Sequence, residues 1–120
     1  MMERSASRGA GPTRGDRAAA LATCRRLEAL RGWLRGYLHE DFAAEYGGAA
    51  GAARAFCLDA TPAERRALAG EWREFRSLTV GWPLAEIAGA LTRELGGAWI
   101  PASLRELAAV GRALDTCTRG

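Results

Sequence analysis

The sequence contains no lysine; all 17 of its basic residues are arginine. With heavy use of alanine and glycine, this reads as a biased coding composition rather than as selection for phosphate contacts. Valine and isoleucine number only four, Val80, Ile87, Ile100 and Val110. No segment alternates apolar with polar residues over a strand's length, which leaves a β-sheet without material. No apolar run approaches the roughly 18 residues that a membrane span requires. The arginines near the N-terminus have no apolar stretch behind them, and Arg25–Arg26 lies too deep in a helical pattern to serve as a twin-arginine signal. The three cysteines, Cys24, Cys57 and Cys117, match neither a small secreted disulfide framework nor a CxxC metal site. A soluble protein of the reducing cytoplasm is the expectation. No Walker loop, GxSxG or dinucleotide fingerprint is present, so no enzymatic activity and no cofactor are predicted.

What is present fits one folded domain. The 120 residues are 48% hydrophobic and 26% charged, with tryptophan at 33, 72, 82 and 99, a balance that supports a single modest core. The formal charge of +3 is unevenly placed. Residues 1–35 hold eight arginines against Glu3, Asp16 and Glu28, a net of +5, while residues 36–120 hold nine arginines against eleven acids, a net of −2. The basic character therefore belongs to the N-terminal part, and the pI near 9.1 says little about the body of the domain.

Residues 1–15 mix Ser, Gly, Pro and Arg with almost nothing to bury and read as a flexible leader, with a single helical domain over 16–118. Asp16 is placed to cap a helix whose apolar positions Leu21, Cys24, Leu27, Leu30, Leu34 and Tyr37 or Leu38 share one face. A glycine pair at Gly47–Gly48 then favours chain reversal, and Ala49 to Leu58 offers a short helix anchored by Phe56. Thr61-Pro62-Ala63-Glu64 is a capping box with proline at the first helical position. It opens a helix with Leu68, Trp72 and Phe75 in its stripe. Pro83 opens another, with Leu84, Ile87, Leu91 and Leu95 on one face and Gly96–Gly97 as its stop. Ser103 through Glu106 repeats the box before a last helix carrying Leu104, Leu107, Val110 and Leu114. The predicted fold is all-α, a compact antiparallel bundle of about five helices. Gly32, Gly36, Gly70, Gly89 and Gly111 fall within helices, and some are expected at close crossings.

His39 with Glu40, Asp41 and Glu45 invites a metal reading, but positions 39 and 41 do not share a helical face and no second histidine completes a set, so no metal is predicted. A Cys–His nucleophile needs a tertiary juxtaposition that spacing does not show, and free cysteine is usually a small buried hydrophobe. Nucleic-acid binding has a better basis, because Arg25, Arg26, Arg31 and Arg35 project near Trp33 from one helix. An arginine-rich polar face is more often only solvated, and no recognisable module frames it. The tryptophans read as core anchors, with Trp82 and Trp99 partly exposed in their connections.

The segment Tyr37-Leu38-His39-Glu40-Asp41-Phe42, followed by Glu45-Tyr46-Gly47 and a short helix ending in Phe56, resembles the aromatic-x-His-x-Asp-aromatic segment of small helical immunity proteins of contact-dependent growth inhibition systems. Phenylalanine stands at 42 where that family commonly has tryptophan. Gly97-Ala98-Trp99-Ile100-Pro101 takes the place of the family's glycine–aromatic–proline turn, so the pattern spans roughly residues 27–114. The resemblance implies a cytoplasmic protein, not an enzyme, that binds the toxic domain of a cognate bacterial effector and covers its surface. The acidic contacts are expected at Glu40, Asp41, Glu45 and Asp59, with Tyr46 and Trp82 as aromatic anchors. For Tyr37, His39, Asp41 and Phe42 a structural reading stands beside the binding one: tyrosine in the core, histidine bonded to backbone, aspartate capping the next turn. The alternative from a different class is a small nucleic-acid-associated regulator that binds phosphate through the arginine-rich first helix.

Overall fold

A computed structural model describes residues 14–119 and is all-helical, with seven helices and no strand among the described residues. They are α1 (Arg14–Cys24), α2 (Glu28–Tyr37), α3 (Phe42–Tyr46), α4 (Ala49–Asp59), α5 (Pro62–Leu78), α6 (Leu84–Gly89) and α7 (Leu104–Arg119), with a π-helical turn over Ala90–Glu94 after α6. The expected leader lies outside the described residues except for Arg14 and Gly15, which already belong to α1. Asp16 consequently sits inside the first turn of α1 instead of capping it; an acid there still favours the helix dipole.

The helix expected from Asp16 to Leu38 is two helices. Tight i→i+3 hydrogen bonds from Arg26 to Thr23 and from Leu27 to Cys24 close α1, and Leu27, at φ −80° and ψ 81°, turns the chain. The apolar stripe runs through the break, because Cys24, Leu27, Leu30 and Leu34 are all buried. The break exposes backbone donors at the start of α2, and one is satisfied from a distance: Leu30 N–H donates to Glu71 Oε1 of α5 at 2.9 Å. A carboxylate on another helix thus does the work of a local cap.

The first capping box forms in full and the second in part. Glu64 N–H donates to Thr61 Oγ1 at 3.1 Å and Thr61 N–H to Glu64 Oε1 at 2.8 Å. At α7, Glu106 N–H donates to Ser103 Oγ, while the Glu106 carboxylate accepts from Ala102 N–H, one residue earlier than the motif expects. The Pro83 helix holds its α geometry only to Gly89. The π turn that follows adds a residue to the repeat, and Ile87, Leu91 and Leu95, spaced by four, are all fully buried through it.

α7 packs along α4 and α5, and α2 along α5 and α4. Their shared core is aromatic. Trp72 meets Trp33 edge-on at 6.3 Å, stacks with Trp99 at 6.2 Å and touches Phe75 at 5.7 Å, the geometries that aromatic quadrupoles favour. Of the five helical glycines, some of which are expected at close crossings, Gly111 lies at one: a Cβ there would stand 3.1 Å from Trp72 Nε1. Phe56 is half-buried, and α4 instead turns Ala49, Ala52, Ala53 and Cys57 inward.

Two of the three cysteines depart from the expectation of free thiols. Cys57 of α4 and Cys117 of α7 form a disulfide across 60 residues of sequence, with Cα atoms 6.0 Å apart. The side-by-side packing of α4 and α7 creates that proximity, which spacing along the chain does not encode. Cys24 remains free and buried.

Candidate functional site

The corner formed by the end of α2, by α3 and by the start of α4 collects most of the candidate residues. After Tyr37 the chain leaves α2 through Leu38, whose backbone carbonyl accepts from Ala98 N–H at 2.9 Å and fastens the corner to the Gly97–Pro101 segment. His39 then organises the turn. Its Nδ1 accepts from Asp41 N–H at 3.2 Å and its Nε2 stands 2.8 Å from Glu45 Oε1. Because Nδ1 is an acceptor, the ring proton lies on Nε2 and donates to Glu45. The imidazole thereby bridges the turn to α3, a helix too short to hold itself. Asp41 is the residue before α3 but makes no side-chain cap bond to it. Gly47 closes α3 in the left-handed region at φ 77°.

Tyr37 ties this turn to α4. Its hydroxyl donates to Asp59 Oδ2 at 2.9 Å, and its ring lies 5.7 Å from Tyr46 and 5.8 Å, edge-on, from Phe56. Burial first, then the hydrogen bond and negative charge of Asp59, push the Tyr37 phenol up to about 12. Tyr37 is therefore a half-buried strut and not a core residue. Phe42 packs partly buried against the core. The acids Glu40, Asp41, Glu45 and Asp59 are all exposed, with Tyr46 half-exposed among them. Arg35 joins His39, Glu40 and Gly96 around a shallow hollow of about 470 Å³ at the edge of the corner, so the acidic surface has one basic neighbour.

Trp82 does not belong to this group. It is 7% exposed, and the Arg17 guanidinium lies over its ring at 5.1 Å while pairing with Glu86. The connection after α5 folds inward, so the expectation of an exposed aromatic anchor fails there. Trp99 is likewise buried. Trp33 is 2% exposed and donates its Nε1–H to Ala52 O at 3.3 Å, which removes the aromatic platform that nucleic-acid binding by the first helix relied on. Arg25 is also engaged, with Glu94 at 2.7 Å, and Arg31 with the Arg25 carbonyl.

Both His39 nitrogens are engaged, and no group of three or more metal-ligating side chains lies together among the described residues. Burial first, then Glu94 and Glu74, push the Cys24 thiol up to about 11, which disfavours the nucleophilic thiolate. No helix among the described residues is long and apolar enough to cross a membrane. The sequence reading gave Tyr37 no bond to Asp59 and Glu71 no role at all; both partners lie on other helices, and nothing local signals them.

The fold and the corner together define a small all-helical domain with an exposed acidic surface braced by a His–Glu and a Tyr–Asp contact. Comparisons with protein-family models, with curated proteins and with solved structures find no match to this chain.

Proposed function

We propose that this chain is a cytoplasmic immunity-type protein, built as an antiparallel helical bundle, that neutralises a cognate bacterial toxin domain by occluding its surface without catalysis. The observation that carries the reading is the corner itself. His39 holds Glu45 and Tyr37 holds Asp59, Tyr46 packs on the Tyr37 ring, and Glu40 and Asp41 are exposed in the adjoining turn. Toxin domains that act on nucleic acids present basic surfaces, and a preorganised acidic patch with a half-exposed tyrosine in the same corner binds such a surface quickly and excludes its substrate. The motif residues are then struts that hold the acids, which reconciles their structural and binding roles.

The compartment carries a condition. Disulfides persist where the surroundings are oxidising, so a cytoplasmic immunity protein must keep its fold with Cys57–Cys117 open.

Co-expression with the toxin encoded beside this chain is the direct test. Protection by the wild type, lost in a Glu40→Lys/Asp41→Lys/Glu45→Lys variant that still folds, is the expected result. Failure of the wild type to bind or protect refutes the reading.

A further inference from the structure

α4 and α7, joined by the Cys57–Cys117 bond, leave between them an open hollow of about 690 Å³. Its floor is made of small or apolar groups, Ala50, Ala109, Ala113 and the disulfide, with Leu58 standing 85% exposed at its margin. Arg54 and Arg112 line it as well. A second hollow shares Cys117 with the first and is lined by Arg65, Arg66 and Arg119. No acidic side chain lines either one. Among the described residues, none of the five arginines forms an ion pair, whereas Arg17, Arg25 and Arg73 each hold a carboxylate. Arg65 Nε is moreover buried without a hydrogen-bond partner.

We propose that this joined groove is a docking site for an acidic, amphipathic helical segment of a partner protein. The alanine floor admits the close approach of a helix with a small apolar face, and Leu58 extends the apolar contact. Arg112 and Arg119 lie seven residues apart on α7, two turns or about 10 Å along one face, so the matching ligand carries Asp or Glu at a comparable spacing beside its apolar stripe. The charge asymmetry selects an anionic partner. The chemistry of the floor selects protein over nucleic acid, because no aromatic side chain lines either hollow to stack on a base and a phosphate backbone leaves the methyl groups unburied. The groove shares no residue with the acidic corner and takes a partner of opposite charge.

Selection of displayed helical peptides on the oxidised full-length protein tests this, followed by fluorescence anisotropy of the recovered peptides. The expected winners carry net negative charge with Leu, Ala or Met at helical spacing. Their affinity falls at least about tenfold in an Arg54→Glu/Arg112→Glu/Arg119→Glu variant and is unmoved by Glu45→Lys. Should the reversed chain not fold, Arg54→Gln/Arg112→Gln/Arg119→Gln gives the same comparison. The proposal is overturned if no peptide is enriched, if the winners are neutral or basic, if they bind the altered groove as well as the native one, or if oligo(dT) binds more tightly than any of them at the same salt.

Discussion

Opening the Cys57–Cys117 bond should cost this domain a large share of its stability. The bond closes a loop of 60 residues, and the chain-entropy relation assigns such a loop about 4 kcal/mol at room temperature. A domain of this size is stable by only about 5–15 kcal/mol. Unfolding entropy of about 2.1 cal/mol/K per residue puts the melting entropy near 0.25 kcal/mol/K, so the midpoint should fall by roughly 15–20 °C on reduction. With the bond open, α7, whose last turn carries Cys117, holds its position through Leu107, Val110 and Leu114. Melting followed by circular dichroism with and without a phosphine reductant gives the number. A Cys57→Ala/Cys117→Ala variant should melt near the reduced wild type and ignore the reductant. Alkylation in denaturant without reductant should label Cys24 alone. Labelling of all three cysteines, or a wild-type midpoint indifferent to reduction, refutes the account. The same melt decides whether the reduced fold survives at physiological temperature, as the cytoplasmic reading requires.

Three further perturbations address separate contacts. The Tyr37 phenol, held at about 12 against an ordinary value of 10.0, contributes stability that is complete below pH 10 and lost as the pH rises from 10 through 12. Ultraviolet titration of a Tyr46→Phe chain should show late ionisation that moves down in Asp59→Asn, part of the way only because burial remains; no movement refutes the Tyr37–Asp59 contact. Glu71→Ala strips the acceptor from Leu30 N–H and should cost about 1–3 kcal/mol in urea unfolding, with Glu71→Gln recovering most of it; equal losses in the two variants count against a cap on α2. In Gly51→Ala the new Cβ runs into the Tyr46 carbonyl oxygen. The overlap should cost about 1–3 kcal/mol against a helix-propensity gain of about 1 kcal/mol, and a raised melting point contradicts the α3–α4 packing.

The parts of the fold legible in the sequence are those whose causes are local. Thr61 and Glu64 are three residues apart and announce the start of α5 through bonds they make to each other. The break between α1 and α2 has no such announcement: its apolar stripe continues unbroken, and the carboxylate that steadies the new helix comes from Glu71, 41 positions away. The π turn is hidden for a related reason, since a spacing of four is read as α-helical whichever repeat carries it. At the acidic corner, His39, Asp41 and Glu45 lie within one short segment and their bonding follows from proximity along the chain. Trp82 was assigned by its place in a connection, and connections usually lie at the surface; Arg17, from the other end of the described chain, covers it.

Charge shows the same limit and sets the two proposed surfaces against each other. The N-terminal segment holds the basic excess in the sequence, yet Arg17, Arg25 and Arg31 spend their donors on Glu86, Glu94 and a backbone carbonyl. The remainder is net acidic, yet it contains all five arginines of the two hollows that α7 forms with α4 and α5, none of them in an ion pair among the described residues. Summed charge therefore misplaces the cations that face a partner. What matters for association is unneutralised charge on a fixed surface, and by that measure the domain offers two: carboxylates at the α2–α4 corner and guanidiniums where α7 meets α4 and α5. Each should bind a partner of opposite sign with an affinity that weakens as salt rises. Because Glu45→Lys alters one surface and Arg112→Glu the other, the two variants separate them in a single binding experiment, and a ligand weakened equally by both counts against two independent sites.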